Sequence, residues 1–289
     1  MIYDDRVFSH PAAPPPEPPR RERRGLRRAM LGALLFLTGT LVGEAAVIAT
    51  APAAPQAAAP TPAETRLVSV ESPNAVEAAI AEVLPAVVTV VHATVERSVG
   101  SGTGLVIDRR RGFVVTNSHV VEDSRSTRAT GSFAVILSDG TRLAATVVGN
   151  DPSTDVAVLR VEGALPAEAR LSTTPVALGA RVIAIGSPGT SGRASGLLTN
   201  TVTAGIVSAT GRSLPRPDVR NVQLTDLVQT DAAINSGMSG GPLVSVATRE
   251  VVGLNTLVVR GSGEEGLGFA VSAATVARVS AQLIAAGGG

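Results

Sequence analysis

The chain has no cysteine, no tryptophan and no lysine among its 289 residues. The lack of cysteine excludes disulfides and thiolate metal sites. It leaves the compartment open, since exported chains can do without disulfides. Aromatic residues are scarce, with five Phe and one Tyr. The core must therefore be filled by Val, Ile, Leu and Ala. Histidine is limited to His10, His92 and His119, so imidazole chemistry has few candidates. No H-E-x-x-H spacing occurs, and neither a metal nor a cofactor is expected. Acidic and basic residues nearly cancel, at a formal net charge of +1. The first 28 residues hold seven Arg against four acids, and the rest holds 18 basic against 20 acidic residues. Nothing in that balance points to a nucleic-acid surface.

The chain divides by composition. Residues 1–28 read as a disordered, basic and Pro-rich cytosolic tail, with six prolines between Pro11 and Pro19 that favour an extended backbone. Residues 29–50 read as a transmembrane signal anchor or a signal peptide. The apolar run Ala29–Gly43 is fifteen residues long, between a signal-peptide core and a full span of ~20 residues. Val47-Ile-Ala49 suits cleavage, whereas the long preceding tail suits an uncleaved anchor. Arg27-Arg28 faintly resembles a twin-arginine signal, with Leu26 in place of the usual Ser or Thr. Anchor and signal imply one topology, with the basic flank inside and everything after residue 50 outside. The protein is expected in the cell membrane as a single-pass protein, or secreted if cleaved. Residues 51–71 form an Ala/Pro-rich linker too poor in large apolar groups to fold.

Residues 72–289 read as one domain. Ser72–Leu84 is predicted helical, with Val76, Ile80, Val83 and Leu84 on one face and Pro85 as its stop. Short apolar runs then alternate with turn residues. They are Val87–Val91, Gly104–Ile107, Phe113–Thr116, Ala134–Leu137, Ala145–Val148, Val156–Val161, Arg181–Ile185, Thr201–Val207, Leu243–Val246, Val251–Val259 and Phe269–Val271. This pattern predicts an all-β fold of two six-stranded antiparallel barrels. Gly100–Gly104 lacks the lysine of a phosphate cradle and opens no helix, so it is expected to be a barrel turn. Ala273–Ala286 is predicted to be a closing helix. His92 falls in an apolar strand and reads as structural.

The chemistry concentrates at Ser239, in Asp231-Ala-Ala-Ile-Asn-Ser-Gly-Met-Ser-Gly-Gly-Pro-Leu243. Glycines around a serine let backbone amides approach an oxyanion. His119 lies upstream in Thr116-Asn-Ser-His-Val-Val121, and Asp155 in Asp151-Pro-Ser-Thr-Asp-Val-Ala-Val-Leu159. The order His119, Asp155, Ser239 is that of chymotrypsin-type triads. Gly237-Met-Ser-Gly-Gly241 also satisfies G-x-S-x-G, but the α/β-hydrolase fold needs a histidine after the serine, and none follows. The expected roles are Ser239 as nucleophile, His119 as general base and Asp155 as its orienting partner. Asp151 is expected to serve the turn. The amides of Gly237 and Ser239 are the expected oxyanion donors.

Together these motifs resemble the HtrA/Deg branch of the trypsin-like serine proteases over about residues 73–284. Leu84-Pro-Ala-Val-Val88, Gly100-Ser-Gly-Thr-Gly104, Val182-Ile-Ala-Ile-Gly-Ser-Pro188, Val202-Thr-Ala-Gly-Ile-Val-Ser208, Gln229-Thr-Asp-Ala-Ala-Ile-Asn235, Val251-Val-Gly-Leu-Asn255 and Gly266-Leu-Gly-Phe-Ala270 also match, in order. The resemblance implies chymotrypsin-like barrels with a cleft between them. It implies a serine endopeptidase that hydrolyses unfolded or exported polypeptides through an acyl-enzyme. It places the substrate pocket at Ala233 and Ile234, two uncharged residues, which implies cleavage after small aliphatic side chains. Arg260–Glu265 reads either as a surface hairpin or as a mobile loop shaping that pocket. Three departures stand out. The family's C-terminal PDZ domain is not expected here, Met238 replaces the usual Asn before the serine, and the N-terminal aromatics of family trimers are missing. The oligomeric state is left open. The alternative reading is a catalytically weak protease fold that binds peptides, or acts as a chaperone or scaffold at the membrane.

Overall fold

Ala75–Val83 forms α1, and a 3₁₀ turn over Leu84–Ala86 carries Pro85. Ala79 and Val83 are buried, while Val76, Ile80 and Leu84 pack partly exposed against the same core. The helix ends where Pro85 withholds an N–H. The computed structural model describes residues 2–4, 74–92, 101–123, 126–129, 132–188, 200–260 and 266–287.

Six strands close the first barrel. These are β2 (Val87–His92), β3 (Ser101–Asp108), β4 (Phe113–Thr116), β7 (Phe133–Ile136), β8 (Arg142–Asp151) and β9 (Val156–Val161), in the ring order β2-β3-β4-β9-β8-β7. A short helix, α2 (Ser118–Val121), and a small ribbon of β5 (Glu122–Asp123) with β6 (Ser126–Ala129) lie between β4 and β7. The second ring contains β10 (Arg181–Gly186), β11 (Thr201–Pro215), β12 (Gln223–Thr230), β13 (Pro242–Ser245), β14 (Val251–Arg260) and β15 (Gly268–Ser272). Its order is β10-β11-β12-β15-β14-β13, closed by β13 on β10. The two-barrel, mostly antiparallel fold read from the sequence is the fold observed. α3 (Ala273–Gly287) packs on β8 and β9 and closes the domain.

Period-two burial explains why β10 reads as an unbroken apolar run. Val182 and Ala184 join a cluster with Val207, Val228, Leu243 and Ala270, one residue from each of several strands of the second ring. Ile183 and Ile185 point the other way, into the larger cluster that also holds the first barrel's core. Both faces are covered, so neither tolerates a polar residue. Valine dominates these cores, as a chain without Trp requires.

Of the run expected to be a turn, Ser101–Gly104 lies in a strand, Ser101–Asp108, and Gly100 lies outside the described residues. A Cβ on Gly104 would lie 2.8 Å from Val114 Cγ1, and one on Gly102 would lie 2.7 Å from Val120 Cγ1. These glycines give neighbouring side chains room inside a strand rather than bend the chain. β11 also outruns its predicted end at Val207 by eight residues, to Pro215. Its distal arm is mostly exposed, with only Ala209 and Leu214 half-buried, so no apolar alternation marks it.

β1 (Ile2–Asp4) pairs in parallel with Val258–Arg260 of β14, where a strand edge offers unpaired backbone groups. These three residues fall in the stretch expected to be a disordered tail. The rest of that tail, the apolar segment 29–50 and the linker 51–71 lie outside the described residues. So do His10 and residues 261–265 of the Arg260–Glu265 loop. Among the described residues no helix is long and apolar enough to cross a membrane.

Candidate active site

The turn between β8 and β9 shows why Asp151 and Asp155 have different tasks. Asp151 Oδ1 accepts the Ser153 amide at 2.9 Å and the Ser153 hydroxyl at 2.6 Å, while Oδ2 accepts the Thr154 hydroxyl at 2.9 Å. This Asx-type turn ends with Asp155 at φ 58°, a left-handed conformation that costs a non-glycine residue of order 1 kcal/mol. Asn117 Nδ2 holds the Asp155 carbonyl at 2.9 Å. The carboxylate is thereby directed inward, where it is 1% exposed.

His119 sits on α2, directly after β4. Its Nδ1 lies 3.1 Å from Asp155 Oδ1 and 2.9 Å from Oδ2, and its backbone amide donates to Oδ1 at 3.0 Å. The Thr256 hydroxyl donates to Oδ2. Burial alone would raise the Asp155 pKa. The charges of His119 and Arg216, with the hydrogen bonds from His119 and Thr256, outweigh burial and hold it below the usual carboxylate range.

Ser239 lies on the second barrel, in the turn before β13, and is 4% exposed. Its hydroxyl donates to the Thr256 carbonyl at 3.4 Å. Thr256 of β14 thus binds Asp155 through its hydroxyl and Ser239 through its carbonyl. The three residues singled out in the sequence, far apart along the chain, meet at one place between the barrels. In this structure the serine hydroxyl is turned to Thr256 and makes no hydrogen bond to His119.

The loop around Ser239 is braced from both sides. Met238 is fully buried in the interior of the second barrel, against Val182, Ile234 and Leu243. Burying such a side chain contributes roughly 1.5–3 kcal/mol. Apolar packing therefore anchors the serine loop at this position. From the first barrel, Thr103 accepts the Ser187 amide at 2.9 Å and donates its hydroxyl to the Gly237 carbonyl at 2.7 Å. The Thr103 amide donates to the Ser239 carbonyl at 2.8 Å. Gly237 at φ 92° and Gly240 at φ 83° supply the left-handed turns this path needs. Among the described residues no acceptor engages the amides of Gly237 or Ser239. Ala233 is exposed, and its carbonyl accepts the Thr203 hydroxyl at 2.8 Å. Ile234 is buried, and a Cβ on Gly268 would lie 2.9 Å from its Cδ1.

With the geometry in place, comparison with known proteins is decisive. The family profile of the trypsin-like peptidase domain matches residues 102–254, more than half of the chain. The chain belongs to the trypsin-like peptidase family. Its trypsin-like domain is 41% identical over 194 residues to a probable periplasmic serine endoprotease, DegP-like, of Chlamydia trachomatis, covering 66% of this chain and 35% of the relative. A protein of the same description from Brucella suis is 39% identical over 196 residues, covering 66% and 34%. The crystal structure of the serine endoprotease from Yersinia pestis superposes with a TM-score of 0.60 at 32% identity, covering 74% of this chain and 68% of that one. The chain spans about a third of the length of the curated relatives it matches.

Sequence reasoning missed Thr256, Thr103 and Arg216. Thr256 lies one residue past a recognised motif, and Thr103 lay inside the run misread as a turn. Arg216, between Pro215 and Pro217, carries no pattern that distinguishes it from a surface arginine.

Proposed function

We propose that this chain is an extracytoplasmic serine endopeptidase of the DegP type, acting on unfolded or exported polypeptides. One observation carries the reading: Thr256 joins Asp155 to Ser239, bringing the Asp–His pair and the serine into one site. In the proposed reaction Ser239 turns toward His119, loses its proton to Nε2 and attacks the substrate carbonyl. Asp155 keeps the imidazole oriented and stabilises the imidazolium. The amides of Gly237 and Ser239 take the oxyanion. His119 then protonates the leaving amine, and water hydrolyses the acyl-enzyme.

The pocket is proposed at Ala233 and Ile234. Neither carries charge, so an Arg or Lys of the substrate would be buried without a partner, at several kcal/mol. The packing of Ile234 on Gly268 supports a shallow site. Cleavage is expected after Val and Ala, with some Leu or Thr. One methylene is worth only ~1–3 kcal/mol, so the preference is loose. Digestion of an unfolded protein with mass mapping of the cuts tests this. Cuts dominated by Arg and Lys, or by Phe and Tyr, would reject the pocket while leaving the triad standing.

The alternative, a peptide-binding or chaperone module, is favoured by the serine hydroxyl turned away from His119. It predicts that a fluorophosphonate fails to label Ser239, whereas the protease reading predicts rapid labelling abolished by Ser239→Ala. The topology proposed is a membrane anchor or signal peptide at residues 29–50 with the peptidase domain outside. In that topology the tail lies inside, so Ile2–Asp4 cannot keep their pairing with β14. Reporters fused after residue 64 are expected to be active only outside the cytosol, and cytosolic activity would contradict that topology.

A further inference from the structure

We infer that Arg216 is a positioning residue for the catalytic pair, setting the charge balance behind Asp155 and through it the readiness of His119 as a base. The inference rests on the reading of Ser239 as nucleophile. Arg216 lies in the turn between β11 and β12, yet its side chain is 0% exposed. All five of its N–H donors are used. Nη1 donates to Glu122 Oε1 at 3.1 Å and to the Pro152 carbonyl at 2.8 Å. Nη2 donates to Glu122 Oε2 and, at 3.0 Å, to Asp218 Oδ2, and Nε donates to Asp218 Oδ1 at 3.1 Å. No donor is left for Asp155, whose Oδ1 lies 3.9 Å from Nη1. Arg216 therefore acts on Asp155 as a fixed positive charge and not as a hydrogen-bond donor.

The partners explain why this charge is placed well. Glu122 follows His119 by three residues, and the Ser118 hydroxyl holds Glu122 Oε1 at 2.6 Å. Pro152 belongs to the turn that ends at Asp155. One guanidinium on the second barrel thus clamps the two segments of the first barrel that carry the base and its orienting acid. The titratable groups facing Arg216 are Glu122, Asp155 and Asp218, with His119 beyond Asp155. Asp151, in the same turn as Pro152, is engaged by Ser153 and Thr154. With His119 neutral, three carboxylates surround one cation. Burial disfavours the guanidinium charge, but Asp155, Glu122 and Asp218 overcome it and keep Arg216 firmly protonated.

Without the cation, the buried carboxylates of Asp155 and Glu122 and the exposed one of Asp218 would face one another, and the buried part of the cluster would take up a proton at higher pH. A protonated cluster no longer supports His119 as a base. The test is the rate of fluorophosphonate labelling of Ser239 in the full chain, from about pH 5 to about pH 9. In Arg216→Gln the acid limb of the profile is expected to move up by about one pH unit, with labelling at neutral pH falling about tenfold. Arg216→Lys keeps the charge but not the fork. It should hold the limb near the parent's position with only part of the rate. Arg216→Gln combined with Glu122→Gln removes one charge of each sign, so its limb should return toward the parent's. This charge-balanced variant keeps the test decisive if the single variant fails to fold. A merely structural role predicts fewer labelled molecules with the parent's pH profile, and that result overturns the assignment. A parent chain unlabelled at every pH overturns the triad reading and this assignment together.

Discussion

Ser239→Ala and His119→Ala are each expected to lower kcat by about six orders of magnitude, and the double variant by scarcely more. The nucleophile and its base serve a single proton transfer, so removing either removes the step. What survives is binding and oxyanion stabilisation, worth roughly 10³–10⁴ over water. The folded domain should tolerate Ser239→Ala, since Ser239 makes only one long side-chain hydrogen bond, at 3.4 Å, whereas His119→Ala also takes a partner from the buried Asp155 carboxylate. Steady-state kinetics on a peptide cut in the mapping experiment, with circular dichroism as the folding control, decides the matter. Losses that multiply in the double variant would dissolve the triad into independent contributions.

Asp155→Asn carries the second large effect. An amide in place of the carboxylate presents an N–H toward Nδ1 or Thr256, so the imidazole loses its orienting acceptor and the imidazolium loses its counter-charge. A fall in kcat of about 10⁴ is expected, with little change in KM. The same substitution has a signature in stability against pH. The folded-state pKa of Asp155 lies below its unfolded value, which is near 3.9. The folded state therefore binds fewer protons through that range. The stabilisation from ionised Asp155 is fully present above the unfolded pKa and is lost as pH falls through the folded one. Urea midpoints of parent and variant should differ most above about pH 5 and converge as the acid is titrated. A difference that stays constant with pH would mean that the carboxyl's charge does not contribute.

Legibility in the sequence followed burial. Phe113–Thr116 and Val156–Val161 were read with the bounds they have, because every residue of β4 and all but Arg160 of β9 are buried. Gln223–Thr230 was not read as a strand, because only half of its residues are buried and Gln, Thr and Asp interrupt them. The glycines of β3 misled for a different reason. Gly at positive φ and Gly at a crowded strand position look the same in a sequence. Only the packing of Val114 and Val120 against that strand tells them apart.

By itself the sequence determined the fold class, the bounds of Phe113–Thr116 and Val156–Val161, the approximate places of the other buried strands, and the three candidates for the triad. Periodic burial and motif order are local or sequential properties, so they survive in one dimension. Tertiary structure alone decided what lies behind those residues. Thr256 became the link between acid and nucleophile, Met238 an apolar anchor for the serine loop, and Arg216 a buried cation set between Glu122, Asp218 and Asp155. Each role depends on which groups converge from distant strands, and on how far burial strips them of water. Charge and hydrogen-bonding power are written in the residue type, but their strength is set by the dielectric and the partners that folding supplies.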